Sequence, residues 1–302
     1  MSDRTNWCPL RFPRTLAFLG LGLLGLSAHA QSPGGSGPFP AAMMADASLP
    51  SHTLYRPVDL ASVERLPVVL WGNGGCANSS FSYQPFLREV ASHGFLVIAV
   101  GPYRETPPPR ERRNDPPGVW PPLATFSRDL IAGLEWALRQ NETVGSEYYG
   151  RVDTDNVATM GHSCGGVQAV EAGQDQRVKT VVLLNSGLID ADDPFMQRFD
   201  VDRSVFDEWQ KPIAYFIGGE EDIAHPNALE DWAVLKAPAV LANLPVGHGG
   251  TFGEPNGGAF AIGPLSWLKW QLQGDHQAAR MFLGECRLCQ LGGWTVETKG
   301  LD

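Results

Sequence analysis

The feature that most constrains the fold is an alternation of short, continuously apolar runs with amphipathic stretches, which begins at Leu66. Strands that are buried on both faces of a sheet have such continuous runs, because helices cover the two faces. The pattern predicts an α/β protein with a doubly wound, mostly parallel sheet and helices on both faces. The predicted strands are 66–71, 95–100, 157–162, 178–185, 212–219 and 239–244, and the predicted helices are 82–94, 123–140, one from about 165, 226–235 and 266–272.

The N-terminal segment has the pattern of a secretory signal. Arginines at positions 4, 11 and 14 precede the apolar run 15–27, and an A-x-A cleavage site follows at 28–30. This order is typical of a signal peptide, and the run is too short to span a bilayer. We therefore expect residues 1–30 to be removed, and a secreted or periplasmic protein without a membrane anchor.

The rest of the chain has no internal repeat and no linker that would divide it. Residues 31–50 are rich in Pro, Gly and Ser and predict a flexible mature N-terminus or an edge extension. Residues 51–302 are predicted to form a single domain. Within it, residues 101–122 contain too many prolines for a helix or a central strand, so we expect a surface excursion there.

The charge balance limits the partners. Asp and Glu number 33 against 23 for Lys and Arg, a net charge of -10. Such a chain repels phosphate backbones and anionic lipid, so nucleic-acid binding is not expected.

The strongest chemical signal is the segment from Gly161 to Gly165 (GHSCG), which lies between a predicted strand and a predicted helix. In that context G-x-S-x-G forms a nucleophile elbow, and the small glycines leave room for a strained serine. The alternative is a glycine-rich turn in which Ser163 only caps the helix. We predict that Ser163 is a nucleophile.

A serine nucleophile needs a base and an orienting carboxylate. Asp222 follows the strand predicted at 212–219, and Glu220 and Glu221 beside it are alternatives. His248 follows the next strand and completes the order Ser, Asp, His along the chain. Other histidines, which we expect to be surface or packing residues, are His52, His93, His162, His225 and His276.

Acyl transfer also needs backbone donors for the developing oxyanion. The N–H of Cys164 is one candidate, and the glycine-rich loop after the first strand offers Asn73 or Gly74 as the second. That loop is otherwise an ordinary turn. It lacks the G-K-[ST] ending of a phosphate-binding loop.

Removal of the leader would take Cys8 and leave four cysteines in an oxidising compartment. Four cysteines allow three pairings, and the sequence alone does not choose among them. We expect Cys286 to pair with Cys289. A bond between Cys76 and Cys164 would hold the two loops of the predicted oxyanion site in register.

These residues together resemble the α/β-hydrolase superfamily over about residues 66–282. The segments 149–154, 222–226 and 266–269 are similar to the secreted branch of cutinases, polyester hydrolases and dienelactone-hydrolase-like esterases. The resemblance implies an α/β-hydrolase catalytic domain that hydrolyses carboxylic esters without a metal or organic cofactor. The chain departs from that pattern at Cys164, where the family often has Met, and at Cys76.

The expected activity is that of a secreted serine esterase on short-acyl or polymer esters. An amidase, peptidase or thioesterase would use the same three side chains, and a non-catalytic binding protein on the same fold is a further alternative. No long amphipathic segment offers a lid, so an open cleft is expected. Tyr103, Trp120 and His162 are candidate substrate contacts, although the two rings of the excursion would also serve to pack it onto the body.

Overall fold

The computed structural model describes residues 33–109 and 122–301. Its strands are β1 (Ala41–Met44), β2 (His52–Pro57), β3 (Leu66–Gly72), β4 (Leu96–Val100), β5 (Val152–His162), β6 (Thr180–Leu184), β7 (Ile213–Ile217), β8 (Ala239–Asn243) and β9 (Thr295–Lys299). The α-helices of the described ranges are α1 (Gln84–Ser92), α2 (Ser127–Glu142), α3 (Cys164–Gly173), α4 (His225–Val234), α5 (Ile262–Gln273), α6 (His276–Ala279) and α7 (Arg287–Gln290).

All nine strands belong to one sheet, in the order β1-β2-β4-β3-β5-β6-β7-β8-β9. The central strands from β4 to β8 pair in parallel, whereas β1, β2 and β9 are antiparallel additions at the two edges. The chain reverses its direction of travel across the sheet at β3, because β4 lies on one side of it and β5 on the other. Open sheets of this kind bind ligands beyond the carboxyl ends of the strands at such a switch point.

The core consists of two apolar layers, one on each face of the sheet. Along β3, Val68 and Leu70 belong to the layer that contains α2 and α3, while Val69 and Trp71 belong to the layer that contains α1 and α5. Successive side chains of a strand point to opposite faces, so a strand covered on both sides must be apolar throughout. The predicted α/β class with a mostly parallel, doubly covered sheet is confirmed.

The edges of the sheet are formed by strands without a continuous apolar run. Of the two alternatives predicted for residues 31–50, the edge extension is observed, because the segment 41–44 forms edge strand β1, with Ala41 and Met43 buried. Pairing with the next strand, β2, and packing on α1 account for this order, and α1 is distant in sequence. Strands β2 and β9 were not predicted, since each lacks a continuous apolar run of the kind that marks the central strands.

Some predictions fall outside the described residues. These are the signal peptide at 1–30, Trp120, and most of the proline-rich excursion. The described part of that excursion, 101–109 and residue 122, contains neither helix nor strand. No helix within the described ranges combines the length and the apolar character needed to cross a bilayer.

Candidate active site

Ser163 occupies the sharp turn between β5 and α3, with a φ of 53°. This left-handed conformation is strained for a residue with a side chain, and such strain is concentrated at functional sites. The glycines on either side are required by close backbone contacts. A Cβ on Gly161 would lie 2.1 Å from the carbonyl oxygen of Gly165, and a Cβ on Gly165 would lie 2.2 Å from the backbone of Gly72.

The turn brings Ser163 to a histidine and an aspartate from two other loops. His248, in the loop after β8, has its Nε2 3.0 Å from Ser163 Oγ. The Nδ1 of the same ring lies 2.6 Å from Oδ1 of Asp222, in the loop after β7. These three side chains, far apart in sequence, form one continuous line of hydrogen bonds.

The environment of Asp222 holds it as a carboxylate. Its side chain is fully buried and accepts hydrogen bonds from the backbone N–H groups of Gly218 and Ala224, each at 3.0 Å. Burial by itself raises the pKa of a carboxyl group, but the hydrogen bonds from His248 and these backbone groups outweigh it, and the pKa of Asp222 lies below its ordinary value.

An ionised Asp222 determines which group donates in each hydrogen bond of this line. A carboxylate only accepts hydrogen bonds, so Nδ1 of His248 carries the proton. Nε2 of a neutral ring is then an acceptor, and the Ser163 hydroxyl donates to it. This is the arrangement a histidine needs in order to remove a serine proton.

The two alternative acids do not reach His248. Glu220 and Glu221 both have exposed side chains at the outer surface of the same loop. Asp222 is the carboxylate that turns inward. His225 is the first residue of α4 and lines a different cavity, together with Glu220 and Glu221.

The loop after β3 was predicted to carry the second oxyanion donor, and one of the two candidates there, Gly74, has its N–H bonded to another group. The Gly74 N–H donates to the hydroxyl of Tyr83 at 3.0 Å. Asn73 is completely buried, and its side chain donates to the carbonyl oxygen of Val100 at 2.7 Å. The residue of this loop that lines the cavity next to Ser163 is Gly75.

Cys164 is the first residue of α3, and the first N–H groups of a helix have no partner within it. Its side chain is bonded to Cys76, in the loop after β3, so one of the three possible pairings is selected. Cys76 is adjacent to Gly75, and Cys164 is adjacent to Ser163. The disulfide therefore ties the glycine-rich loop to the turn that carries Ser163. The second predicted bond, between Cys286 and Cys289, is also present.

A cavity of about 200 Å³ opens beside Ser163 and His248. Most of its wall is apolar, and that part is formed by Val167, Ile189, Phe195, Ile223 and Ala224. The polar part of the wall is formed by Asn185, Ser186 and Asn227. Ile223, the residue after Asp222, is 75% exposed at the rim. A large apolar side chain in that position provides a contact for an apolar ligand group.

Two of the residues predicted to contact substrate are instead in contact with other protein groups. Tyr103 is half-buried and packs against the apolar layer that contains Trp71. His162 is buried, and both of its ring nitrogens bond to protein groups, namely the hydroxyl of Tyr83 and the backbone carbonyl of His248. Neither residue belongs to the wall of the described cavity.

Sequence reasoning missed three residues at this site: Gly75, Tyr83 and Asn185. Asn185 follows β6 and donates from Nδ2 to the carbonyl oxygen of His248 at 2.8 Å, which holds the histidine loop in place. Its position at the carboxyl end of a central strand was a usable signal. Gly75 lies in the loop that was predicted to supply the oxyanion donor, next to the candidate Gly74. Tyr83 has no such signal, because its role depends on contacts across loops.

The described residues contain no group of three or more His, Cys, Asp or Glu side chains arranged to hold a metal ion. The chain matches no protein-family model and no curated protein. The class of protein therefore has to be argued from the fold and the geometry of the site.

Proposed function

We propose that this protein is a secreted serine carboxylic ester hydrolase of the α/β-hydrolase superfamily. The observation that carries the proposal is the line of hydrogen bonds from Ser163 through His248 to Asp222. Its location supports the same conclusion, because the three residues follow β5, β8 and β7 at the carboxyl edge of a mostly parallel sheet.

The first half of the reaction forms an acyl-enzyme. Ser163 Oγ attacks the ester carbonyl while Nε2 of His248 accepts its proton. Asp222 stabilises the imidazolium that results. The backbone N–H groups of Cys164 and Gly75 donate to the oxyanion of the tetrahedral intermediate. His248 then gives the proton to the departing alkoxide, and the C–O bond breaks.

The second half releases the acid. Water loses a proton to Nε2 of His248 and attacks the acyl carbonyl, and the same backbone groups stabilise the second tetrahedral intermediate. Collapse of that intermediate breaks the bond to Ser163 Oγ, which recovers its proton from His248. No group other than protein and water is needed for this cycle.

The size of the cavity favours short acyl groups. At about 200 Å³ it is smaller than the 300–1,000 Å³ range of pockets that enclose drug-sized ligands. Its apolar wall matches a short alkyl chain, and the exposed Ile223 at the rim matches further apolar substrate outside the cavity. The proposed substrates are small esters of short acids, or polyesters with short repeating units.

Hydrolysis of p-nitrophenyl esters that differ only in the length of the acyl group tests this specificity. We expect p-nitrophenyl acetate and butyrate to be hydrolysed faster than the palmitate, with no increase in rate at a lipid interface. Ile223→Ser should raise KM for the butyrate by roughly three- to tenfold through lost apolar contact. Leu229→Ser, which changes an exposed apolar residue of α4 outside the cavity wall, is the matched control. A preference for long-chain emulsions would contradict the proposal.

An amidase, peptidase or thioesterase remains the second candidate, because fold and triad do not determine the leaving group. Matched p-nitrophenyl esters and p-nitroanilides with the same acyl group separate these activities. We expect the ester to be strongly preferred. Labelling by a fluorophosphonate distinguishes all of these enzymes from a non-catalytic binding protein, which would not react.

Secretion is part of the proposal. Both disulfides support it, because such bonds persist in oxidising compartments. Fractionation of the source cells, followed by N-terminal sequencing of the exported protein, tests it. We expect a mature chain that begins close to residue 31.

A further inference from the structure

A second hydrogen-bonded chain runs beside the triad and connects two of its loops. The Gly74 N–H donates to Tyr83 Oη at 3.0 Å. That hydroxyl lies 2.9 Å from Nδ1 of His162, and Nε2 of His162 lies 2.7 Å from the carbonyl oxygen of His248. The chain thus extends from the glycine-rich loop to the backbone of the catalytic histidine.

The donors and acceptors of this chain can be assigned from its two ends. The carbonyl oxygen of His248 only accepts, so Nε2 of His162 must donate. Nδ1 of a neutral ring is then an acceptor, and the hydroxyl of Tyr83 donates to it. The hydroxyl oxygen is left to accept from Gly74. Each of the three hydrogen bonds therefore has one direction, because the backbone N–H at one end can only donate and the carbonyl oxygen at the other can only accept.

The surroundings keep both side chains uncharged. Burial lowers the pKa of His162 to about 4, although its bond to the His248 carbonyl acts in the opposite direction. Burial also raises the pKa of Tyr83 to about 12. At neutral pH His162 is therefore a neutral imidazole, as the assignment of donors requires.

Packing restricts the positions that the side chains of Tyr83 and His162 can occupy. The ring of Phe252 lies 5.0 Å from that of His162 and 5.4 Å from that of Tyr83, measured between centroids. A Cβ on Gly74 would come within 2.5 Å of both His162 Nδ1 and Tyr83 Oη. Only glycine lets the backbone approach this pair closely.

We propose that Tyr83 and His162 are positioning residues for the hydrolase reaction. Tyr83 selects the Nε2–H tautomer of His162, and that tautomer holds the backbone of His248. The same hydroxyl anchors Gly74, which precedes Gly75 in the predicted oxyanion loop. One pair of side chains thus sets the catalytic base and an oxyanion donor relative to each other. The inference rests on the proposed function.

The kinetic test is Tyr83→Phe, which keeps the ring and removes the hydroxyl. We expect kcat to fall by roughly 10- to 100-fold with KM nearly unchanged, because small misplacements of reacting groups cost about that much. Tyr55→Phe is the matched control. It removes another buried hydroxyl, which lies 3.0 Å from Ser80 Oγ and does not touch the chain. Equal losses in the two variants would overturn the positioning role.

Conservative replacement gives a second kinetic readout. Glutamine in place of His162 offers an N–H donor and a carbonyl acceptor, whereas leucine offers neither. We expect His162→Gln to retain more of kcat than His162→Leu, with both variants folded as judged by thermal unfolding. Equal activity of the two variants would show that only the bulk at position 162 matters, and would overturn the inference.

A structural test does not depend on turnover. Two-bond ¹H–¹⁵N correlation spectra of the imidazole rings report the tautomer of each histidine. We expect His162 to be the neutral Nε2–H form at pH 7 in the unmodified protein and to lose this preference in Tyr83→Phe. A cationic or Nδ1–H ring in the unmodified protein would overturn the inference. Failure of fluorophosphonate labelling would instead refute the proposed function.

Discussion

The two disulfides join regions of very different character. Cys76 and Cys164 are buried, lie 88 positions apart in sequence and connect two loops at the carboxyl edge of the sheet. Cys286 and Cys289 lie three positions apart in the C-terminal segment, and Cys289 is exposed. The first bond restricts how two parts of the candidate site move relative to each other. The second restricts only one turn of the chain.

The comparison shows that the effect of a disulfide depends on which segments of the chain it joins. In the chain-entropy relation, closing an 88-residue loop stabilises the folded protein by about 4 to 5 kcal/mol and closing a three-residue loop by about 1.5 kcal/mol. The larger effect falls on the region where the proposed triad and the predicted oxyanion donors meet. We therefore expect removal of the buried disulfide to lower both the rate of the reaction and the stability of the fold. Removal of the disulfide in the C-terminal segment should lower stability alone.

The largest effect should come from removing the nucleophile without touching either disulfide. Ser163→Ala is expected to lower kcat by about a million-fold, because loss of the attacking group disables the triad as a unit. The melting temperature should remain within a few degrees of the unmodified value. Steady-state kinetics and thermal unfolding measure the two quantities. Turnover that survives in this variant would place the nucleophile elsewhere.

The next largest effect concerns the acid. Asp222→Asn should lower kcat on the order of 10⁴-fold, since an amide at this position favours the wrong tautomer of His248. Glu221→Gln removes a neighbouring exposed carboxylate and is expected to change kcat less than twofold. If Glu221→Gln were the more damaging change, the assignment of Asp222 as the triad acid would be wrong.

Removing the buried disulfide should affect both rate and stability. In the double variant Cys76→Ala with Cys164→Ala, we expect kcat to fall roughly 10- to 100-fold, because the two loops lose their fixed spacing. The free energy of unfolding should fall by up to about 5 kcal/mol. Denaturant titration and initial rates provide the measurements.

The tail provides the matched control for that experiment. Cys286→Ala with Cys289→Ala should leave kcat unchanged and lower the free energy of unfolding by at most about 1.5 kcal/mol. Peptide mapping without reduction verifies which bonds are present in each variant. Comparable losses of activity in the two double variants would contradict the conclusion that only the buried disulfide affects the candidate site.

The last prediction concerns the response to pH. Only a neutral His248 can accept the serine proton, so kcat/KM should rise with pH and then level off. The lowered pKa of Asp222 keeps that group ionised across this range, so it adds no second limb. The tail variant should show the same profile. A rate that decreases steadily from pH 5 to 8 would contradict a histidine base.

Much of this protein could be predicted from local pattern. The apolar runs predicted the central strands, because strands covered on both faces have no solvent-exposed side. The candidate residues Ser163, Asp222 and His248 came from a rule about position, since the loops after parallel strands meet at one edge of the sheet. Both the runs and the rule depend on neighbours in sequence, so a single sequence contains them.

The remaining features depend on contacts between distant segments. The order of 41–44 depends in part on packing against α1, and the partner of Cys76 depends on how two loops approach each other. Tyr83 bonds to a residue 79 positions away, and His162 bonds to one 86 positions away. Periodicity describes which face of an element is buried, but not which loop lies against another. Only the packed tertiary structure decides such pairings, because their geometry is set by the whole sheet and the helices that cover it.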